Sequence, residues 1–107
     1  MRKLVTESFG SLDDLLVVEG PDLEPAPGQV VVDVAAAGVN FVDGLIVQGR
    51  YQFTPPLPHT PGTEVAGTVI EVAPDVTSVK VGDRVLGGRG SGCYAEQVIV
   101  GGDVAFK

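Results

Sequence analysis

The chain has a single cysteine, Cys93, a single histidine, His59, and no tryptophan among its 107 residues. One cysteine excludes an internal disulfide and the thiolate clusters that build structural zinc sites. Any Ser-His-Asp or Cys-His arrangement would have to use His59. Because His59 stands among prolines, we expect it in a surface loop. Nucleophilic hydrolysis is therefore not expected.

Basic residues and long apolar runs are also scarce. Seven Lys and Arg stand against fourteen Asp and Glu, which gives a formal net charge of −7. Since phosphate backbones need a positive patch, we expect no nucleic-acid partner. Hydrophobic residues make up 44% of the chain, but no stretch approaches the roughly 20 apolar residues that span a bilayer. A cytoplasmic protein with no membrane partner and no signal peptide is expected.

Glycine and proline are abundant, and their distribution predicts a mostly β fold. Fifteen Gly and eight Pro separate short runs rich in Val and Ala, a pattern typical of closely spaced strands. The length of 107 residues suits one domain with a single core. The predicted strands cover Leu4–Glu7, Leu15–Glu19, Gln29–Ala36, Glu64–Ala73, Arg84–Gly87, Tyr94–Val100 and Val104–Phe106.

Two local patterns are the clearest. In Gln29–Ala36, alternate residues from Val30 onward share one face, which we expect to form the core. One short helix follows, with Asn40 as its N-cap, Asp43 in its first turn and Gly49 as its stop. Asp43 is expected to orient its neighbours.

Four motifs carry a family resemblance across nearly the whole chain. They are Ala36–Asp43, Gly49–Tyr51, Pro61–Gly67 and Val81–Val85. In this order they resemble the N-terminal, GroES-like catalytic domain of a zinc-independent medium-chain dehydrogenase/reductase of the quinone oxidoreductase or enoyl reductase type. The resemblance implies a partly open β-barrel with one or two short helices. It also implies NADPH, bound mainly by a Rossmann domain that residues 1–107 do not include.

The resemblance bears on metal binding. Zinc alcohol dehydrogenases of this superfamily carry Cys where Asn40 stands and His where Thr63 stands, followed by a Glu that Glu64 matches. Two ligands are thus replaced, and a catalytic zinc needs about three Cys, His or carboxylate ligands. We predict no metal. Glu64, at the start of an apolar strand, is expected to be a buried structural carboxylate.

Two residues are the candidate site residues that the resemblance implies. Asn40 matches the Asn that lines the cofactor and substrate cleft, and its amide offers a donor and an acceptor. It is assigned both a catalytic and a cofactor-binding role, although it can equally be a plain helix cap. Tyr51 matches a Tyr beside the substrate carbonyl that donates a hydrogen bond or proton. The alternative for Tyr51 is simple packing against the proline loop.

Another segment imitates a cofactor motif. Gly90–Ala95 satisfies the loose pattern G-x-G-x-x-G/A, but a dinucleotide site requires that a helix follow it. A strand is predicted there instead, so the segment is interpreted as a hairpin-type loop. In the family a loop at this place borders the cleft, so Arg89, Gly90 and Ser91 are expected to approach substrate or cofactor without binding its pyrophosphate. Cys93 is interpreted as an inert buried thiol.

The expected function follows from the resemblance. The parent enzyme would transfer hydride from NADPH to a quinone, an enone or an enoyl thioester, would be a homo-oligomer, and would use Tyr51 and Asn40 as donors. The isolated domain would be inactive. The alternative is a co-chaperonin-like binding module, since such proteins share the barrel and a motif similar to Val79–Val85.

Overall fold

Short antiparallel strands make up most of the fold. The computed structural model describes all 107 residues. Its elements are β1 (Arg2–Val5), β2 (Leu16–Glu19), β3 (Gln29–Ala37), α1 (Phe41–Val47), β4 (Glu64–Val72), β5 (Arg84–Gly88) and β6 (Gln97–Gly101). Two 3-10 turns cover Leu12–Asp14 and Gly102–Val104. The predicted mostly β class is confirmed.

The strands form two sheets that do not close on each other. β5, β4, β3 and β6 lie in that order in a four-stranded antiparallel sheet, and β1 pairs with β2 in a second sheet. Isolated bridges join Lys3 to Ala95, Thr6 to His59 and Leu86 to Phe106. The arrangement confirms the predicted partly open barrel with one short helix.

β3 supplies the centre of the core. Val30 and Val32 are fully buried, as the alternation predicts. They pack with residues of the neighbouring strands, namely Val65, Val69, Val85, Val98 and Val100. Val31, predicted to lie on the outer face, is fully buried as well, and Ala36 is exposed. Register shifts interrupt β3 at two points, and such bulges break the period of two.

The predicted strand Tyr94–Val100 is only partly correct, because β6 begins at Gln97. The carbonyl of Tyr94 accepts the N–H of Leu4 at 2.8 Å, and the carbonyl of Glu96 accepts the N–H of Val34 at 2.8 Å. This segment therefore changes partner from β1 to β3 and cannot form one continuous ladder.

The predicted strand Val104–Phe106 is wrong. Gly102–Val104 forms a 3-10 turn, and only Phe106 pairs with β5. The backbone groups of Phe106 and Leu86 exchange two hydrogen bonds, of 2.6 and 2.8 Å. The turn takes up the residues that would otherwise extend this pairing.

Helix α1 is short and has clear ends. Asn40 is its N-cap residue, as predicted. Beyond it, Gly49 has a φ of 71°, a left-handed conformation that glycine adopts without strain. The side chain of Phe41 is 85% exposed. The helix buries instead the face that contains Asp43, Ile46 and Val47.

The proline-rich segment, residues 52–62, is an ordered irregular stretch, but His59 within it is not on the surface. His59 is only 7% exposed. Its backbone N–H donates to the carbonyl of Thr6 at 2.9 Å, and its carbonyl accepts the N–H of Thr6 at 2.8 Å. This pairing holds His59 beside Thr6 in a buried position, so the predicted surface position is wrong.

Candidate functional site

Polar groups from several parts of the chain gather at the N-terminal end of α1. The backbone N–H of Asn40 donates a 2.9 Å hydrogen bond to Oδ2 of Asp43. This bond is one half of a capping box, in which the third helical residue reaches back to the cap. The expectation that Asp43 orients its neighbours is confirmed.

The side chain of Asn40 faces the start of β4. Its Nδ2 lies 3.5 Å from Oγ1 of Thr63 and 3.4 Å from Oε1 of Glu64. Both hydrogen bonds are long, so the amide is held loosely. Glu64 is exposed, which contradicts the expectation of a buried carboxylate. We call Asn40, Thr63 and Glu64 the amide cluster.

Tyr94 contacts the same helix end from a distant part of the chain. Its hydroxyl donates a 2.7 Å hydrogen bond to Oδ2 of Asp43 and lies 3.3 Å from the carbonyl oxygen of Gly38. Asp43 is only 3% exposed, and its Oδ1 has no hydrogen-bond partner. Burial, followed by the hydrogen bond and charge of Asp43, raises the pKa of Tyr94 to about 12. The phenol is therefore protonated at neutral pH and serves Asp43 as a donor.

Two glycines make this packing possible. Gly62 has a φ of 104°, and a Cβ at this position would lie 2.6 Å from the ring of Tyr94. A Cβ at Gly38 would overlap the carboxylate of Glu64. The packing of Tyr94 thus requires glycine at position 62, and the position of Glu64 in the amide cluster requires glycine at position 38.

Two cavities border the amide cluster. The first, of about 360 Å³, is lined by Asn40, Asp43 and Tyr94 together with apolar residues that include Leu12, Leu15, Val39 and Phe41. The second, of about 580 Å³, is lined by Glu64 and by small or apolar residues of β3, β4 and β5. The Asn40–Glu64 hydrogen bond connects their walls. Apolar hollows with a few polar groups are typical of small-molecule sites.

Tyr51, the predicted phenol donor, lies outside both cavities. Its side chain is 37% exposed, and no intramolecular hydrogen bond engages its hydroxyl. The structure thus brings Asn40 together with Thr63 and Glu64 but leaves Tyr51 apart from them. The catalytic role of Tyr51 stays a prediction.

The contact between Tyr94 and Asp43 has no local sequence signal, since the two residues lie 51 positions apart. It depends on backbone pairing between two loops. The N–H of Tyr94 donates to the carbonyl of Pro61 at 3.0 Å, and the N–H of Cys93 donates to that of Gly62 at 3.2 Å. Strand and loop patterns do not encode such a pairing, so sequence reasoning missed Tyr94.

The amide cluster is a poor set of metal ligands. It contains one carboxylate beside an amide and a hydroxyl, whereas zinc prefers Cys, His and carboxylate groups. No group of three or more His, Cys, Asp or Glu side chains is placed to hold a metal ion. Cys93 is fully buried in the core, and burial raises the pKa of its thiol. The thiol is therefore protonated at neutral pH, as expected for an inert cysteine.

Comparison with known proteins identifies the family. Residues 26–107 match the family described as "Alcohol dehydrogenase GroES-like domain". The chain belongs to this GroES-like domain family. The resemblance to domains of the quinone oxidoreductase type is confirmed as well: the quinone oxidoreductase-like protein 2 of Rattus norvegicus is 51% identical over 73 residues, which are 68% of this chain and 21% of that protein.

Longer matches agree with this assignment. The synaptic vesicle membrane protein VAT-1 homolog of Rattus norvegicus is 44% identical over 102 residues, which are 94% of this chain and 25% of that protein. The crystal structure of Escherichia coli quinone oxidoreductase complexed with NADPH superposes with a TM-score of 0.92 at 33% identity, covering 98% of this chain and 32% of that one. The domain thus spans about a quarter to a third of these relatives.

These findings make the chain a GroES-like domain of the medium-chain oxidoreductase type. Its only α-helix is seven residues long, and none of its helices has the length and apolar character required to cross a membrane.

Proposed function

We propose that this GroES-like domain is the substrate-side half of an NADPH-dependent reductase that transfers hydride to a quinone or an activated alkene. The observation that carries the proposal is the amide cluster, in which the loosely held donor of Asn40 lines one apolar cavity and bonds to Glu64 in the wall of a second. The similarity of this chain to proteins described as quinone oxidoreductases supports the same conclusion. The residues that bind most of the cofactor are proposed to lie in a separate nucleotide-binding domain.

The chemistry of the site fits such a reduction. NADPH, when bound, would supply the hydride, and the carbonyl oxygen of the acceptor would then carry developing negative charge. An N–H donor placed beside that oxygen stabilises the charge. Nδ2 of Asn40 can turn toward the acceptor because its present bonds, of 3.4 and 3.5 Å, are weak. The amide oxygen of Asn40 would be free to accept a hydrogen bond from a bound cofactor.

The two tyrosines take different roles in this proposal. The hydroxyl of Tyr94 already donates to Asp43 and holds the helix end in place. No residue of the chain bonds the hydroxyl of Tyr51, and the residue is 37% exposed, so this hydroxyl is free to donate to a substrate. We therefore retain Tyr51 as the second donor, with Asn40 as the first.

The proposed reaction is independent of zinc. An amide and a hydroxyl stand at Asn40 and Thr63, and only Glu64 among these three residues is a good zinc ligand. Elemental analysis of a zinc-loaded and dialysed chain tests this part. We expect far less than one zinc per chain, and a stoichiometric zinc that is lost in Glu64→Gln would contradict it.

A chimera tests the function. Residues 1–107 would replace the matching segment of the Escherichia coli quinone oxidoreductase, whose fold they share. We expect NADPH-dependent reduction of benzoquinone or of an enone by the chimera, and none above a buffer blank by the isolated chain. Saturable turnover by the isolated chain would contradict the idea that it is one half of the enzyme.

Variants of the chimera test the catalytic roles proposed for Asn40 and Tyr51. Asn40→Asp removes the donor and adds a charge beside Glu64, so kcat should fall at least about tenfold. Gln52→Glu is the matched control, because it makes the same chemical change at an exposed loop position. Tyr51→Phe should lower kcat with little effect on folding. Unchanged rates in both site variants would remove Asn40 and Tyr51 from the chemistry.

A further inference from the structure

A third cavity, of about 360 Å³, concentrates positive charge. Three structural parts form it: the proline-rich segment, the loop at residues 89–92, and the ends of β1 and β6. Its polar lining consists of Lys3, His59, Thr60, Arg89, Ser91 and Gln97, and the N-terminal Met1 also reaches it. No Asp or Glu lines it, although the chain has fourteen of them and a net charge of −7.

The two cationic side chains of this cavity have no carboxylate partner. Arg2 pairs with Glu96, and Lys80 and Lys107 both pair with Asp83, but no ion pair involves Lys3 or Arg89. The N-terminal ammonium is already paired with Glu19 and Asp22. Lys3 and Arg89 are therefore two lining residues of this cavity whose positive charge no carboxylate compensates.

Arg89 is held in place from two sides. Its backbone N–H donates to the carbonyl of Thr63 at 3.1 Å, and its Nη1 donates to the carbonyl of Ile99 at 3.2 Å. A guanidinium has five N–H donors, so most of them remain available to a ligand. A cation that the fold has already positioned loses less freedom when it binds an anion.

His59 provides a second, independent sign of a ligand. It is 7% exposed, lines the same cavity, and its Nε2 is buried without a hydrogen-bond partner. Buried polar atoms are nearly always bonded, because an unpaired one is destabilising. A ligand atom that enters the cavity and displaces its lining slightly would satisfy this nitrogen.

We propose that this cavity binds a phosphate group, with Arg89 and Lys3 as its charged partners and His59 as a hydrogen-bond partner. Two cations and a hydroxyl, that of Ser91, match the charge and the several acceptor oxygens of a phosphate better than those of a single carboxylate. Phe53 and three prolines provide an apolar wall for the organic part of the ligand.

The position of the cavity gives two sources for that phosphate. Thr60 and Ala95 line it, while their chain neighbours Pro61 and Tyr94 line the cavity of Asn40. A phosphate bound here thus lies close to the proposed reaction site. It can belong to the carrier end of a thioester substrate or to a dinucleotide cofactor, and phosphate chemistry is common to both.

The single histidine provides a specific reporter. We would follow the Cε1–H resonance of His59 in the 107-residue chain while adding inorganic phosphate, and acetate at matched ionic strength. Met1, Lys3 and Arg89, the charged groups that line the cavity with His59, are all cationic. A bound phosphate should therefore shift this resonance saturably and raise the pKa of the imidazole. No saturable shift, or an equal response to acetate, would overturn the proposal.

Variants separate the site from general charge effects. Arg89→Gln should weaken phosphate binding about tenfold, the loss of one charge-assisted contact. Arg50→Gln is the matched control, since Arg50 is exposed and lies outside the cavity. If Arg50→Gln weakens binding as much as Arg89→Gln does, the cavity is not the site.

Two bisphosphates then identify the source. Adenosine 3′,5′-bisphosphate carries the phosphates of coenzyme A, and adenosine 2′,5′-bisphosphate carries those of NADPH. Tighter binding of either one than of inorganic phosphate, with loss in Arg89→Gln, supports the site and names the source. If neither binds more tightly than inorganic phosphate, an organic phosphate is not the ligand and the proposal fails.

Discussion

Tyr94 and Asp43, 51 positions apart in the chain, are joined by a 2.7 Å hydrogen bond between the phenol and a buried carboxylate. The same carboxylate oxygen accepts the backbone N–H of Asn40. One oxygen of Asp43 thus ties the loop around Tyr94 to the residue that carries the proposed chemistry. The orientation of Asn40 depends on this contact.

Replacing Tyr94 by Phe should destabilise the chain. The change removes one of the two donors to Oδ2 of the buried Asp43, and a hydrogen bond to a carboxylate contributes about 1.5–3 kcal/mol. Urea unfolding should show a lower midpoint with an unchanged slope. Tyr51→Phe is the matched control and should stay within about 0.5 kcal/mol of the wild type, because no residue bonds its hydroxyl. Equal stability of the two variants would contradict this account.

Gly62→Ala should destabilise the chain by about 1–3 kcal/mol or more. The left-handed backbone at Gly62 is strained for alanine, and the new methyl group would collide with the ring of Tyr94. Thermal unfolding of Gly62→Ala and Gly90→Ala measures the difference. Gly90 is the control because a Cβ there meets nothing within 4 Å. A Gly62→Ala protein as stable as Gly90→Ala would show that Tyr94 is packed differently.

Folding stability should fall with acidification below about pH 6.5 because of His59. Burial lowers the pKa of this imidazole from its ordinary value of 6.5. Above pH 6.5 the imidazole is neutral in both the folded and the unfolded chain, so His59 contributes no pH dependence to stability. Below it the unfolded chain binds a proton that the folded chain resists, so the free energy of unfolding decreases until the lower folded pKa is passed.

Urea unfolding at pH 7.5, 6.5 and 5.5 tests the role of His59. The pKa values of Asp83 and Glu96 are lowered from 3.8 and 4.5, mainly by backbone hydrogen bonds, so their contribution is lost only at lower pH. The variant His59→Gln should remove most of the decrease between pH 6.5 and 5.5. An identical decrease in that variant would assign the effect to another group.

The thiol of Cys93 should be unreactive in the folded chain. It is fully buried, and burial raises its pKa. An aromatic disulfide reagent should modify it at the rate of unfolding in buffer and at once in denaturant. Thr77→Cys places a thiol at an exposed position and should react immediately. Fast modification of the wild type in buffer would show that the core opens at this point.

The parts of the fold with strong local patterns could be predicted from the sequence. The alternation in β3 and the cap at Asn40 both reflect interactions between residues close in the chain. The predicted β3 boundary differs from the structure by one residue, Ala36 in place of Ala37. The register shifts in β3 could not be predicted, because they are set by its pairing with β4.

The candidate site was predictable only in part. The resemblance marked Asn40, Thr63 and Glu64, and the structure places these three side chains within hydrogen-bonding distance. Tyr94 was missed because its role rests on contacts with residues far away in the sequence. The burial of His59 was missed for the same reason, since Thr6 forms the pairing that encloses it.

Gly38 contributes to the site because it has no side chain. Glu64 can lie beside Asn40 because Gly38 presents only a hydrogen where any other residue would present carbon. Even alanine at position 38 would displace the carboxylate of Glu64, and Asn40 would keep only its contact with Thr63. A substitution at Gly38 therefore moves the carboxylate of Glu64 away from Asn40, and a designer who transplants this site has to copy Gly38 together with the side chains around it.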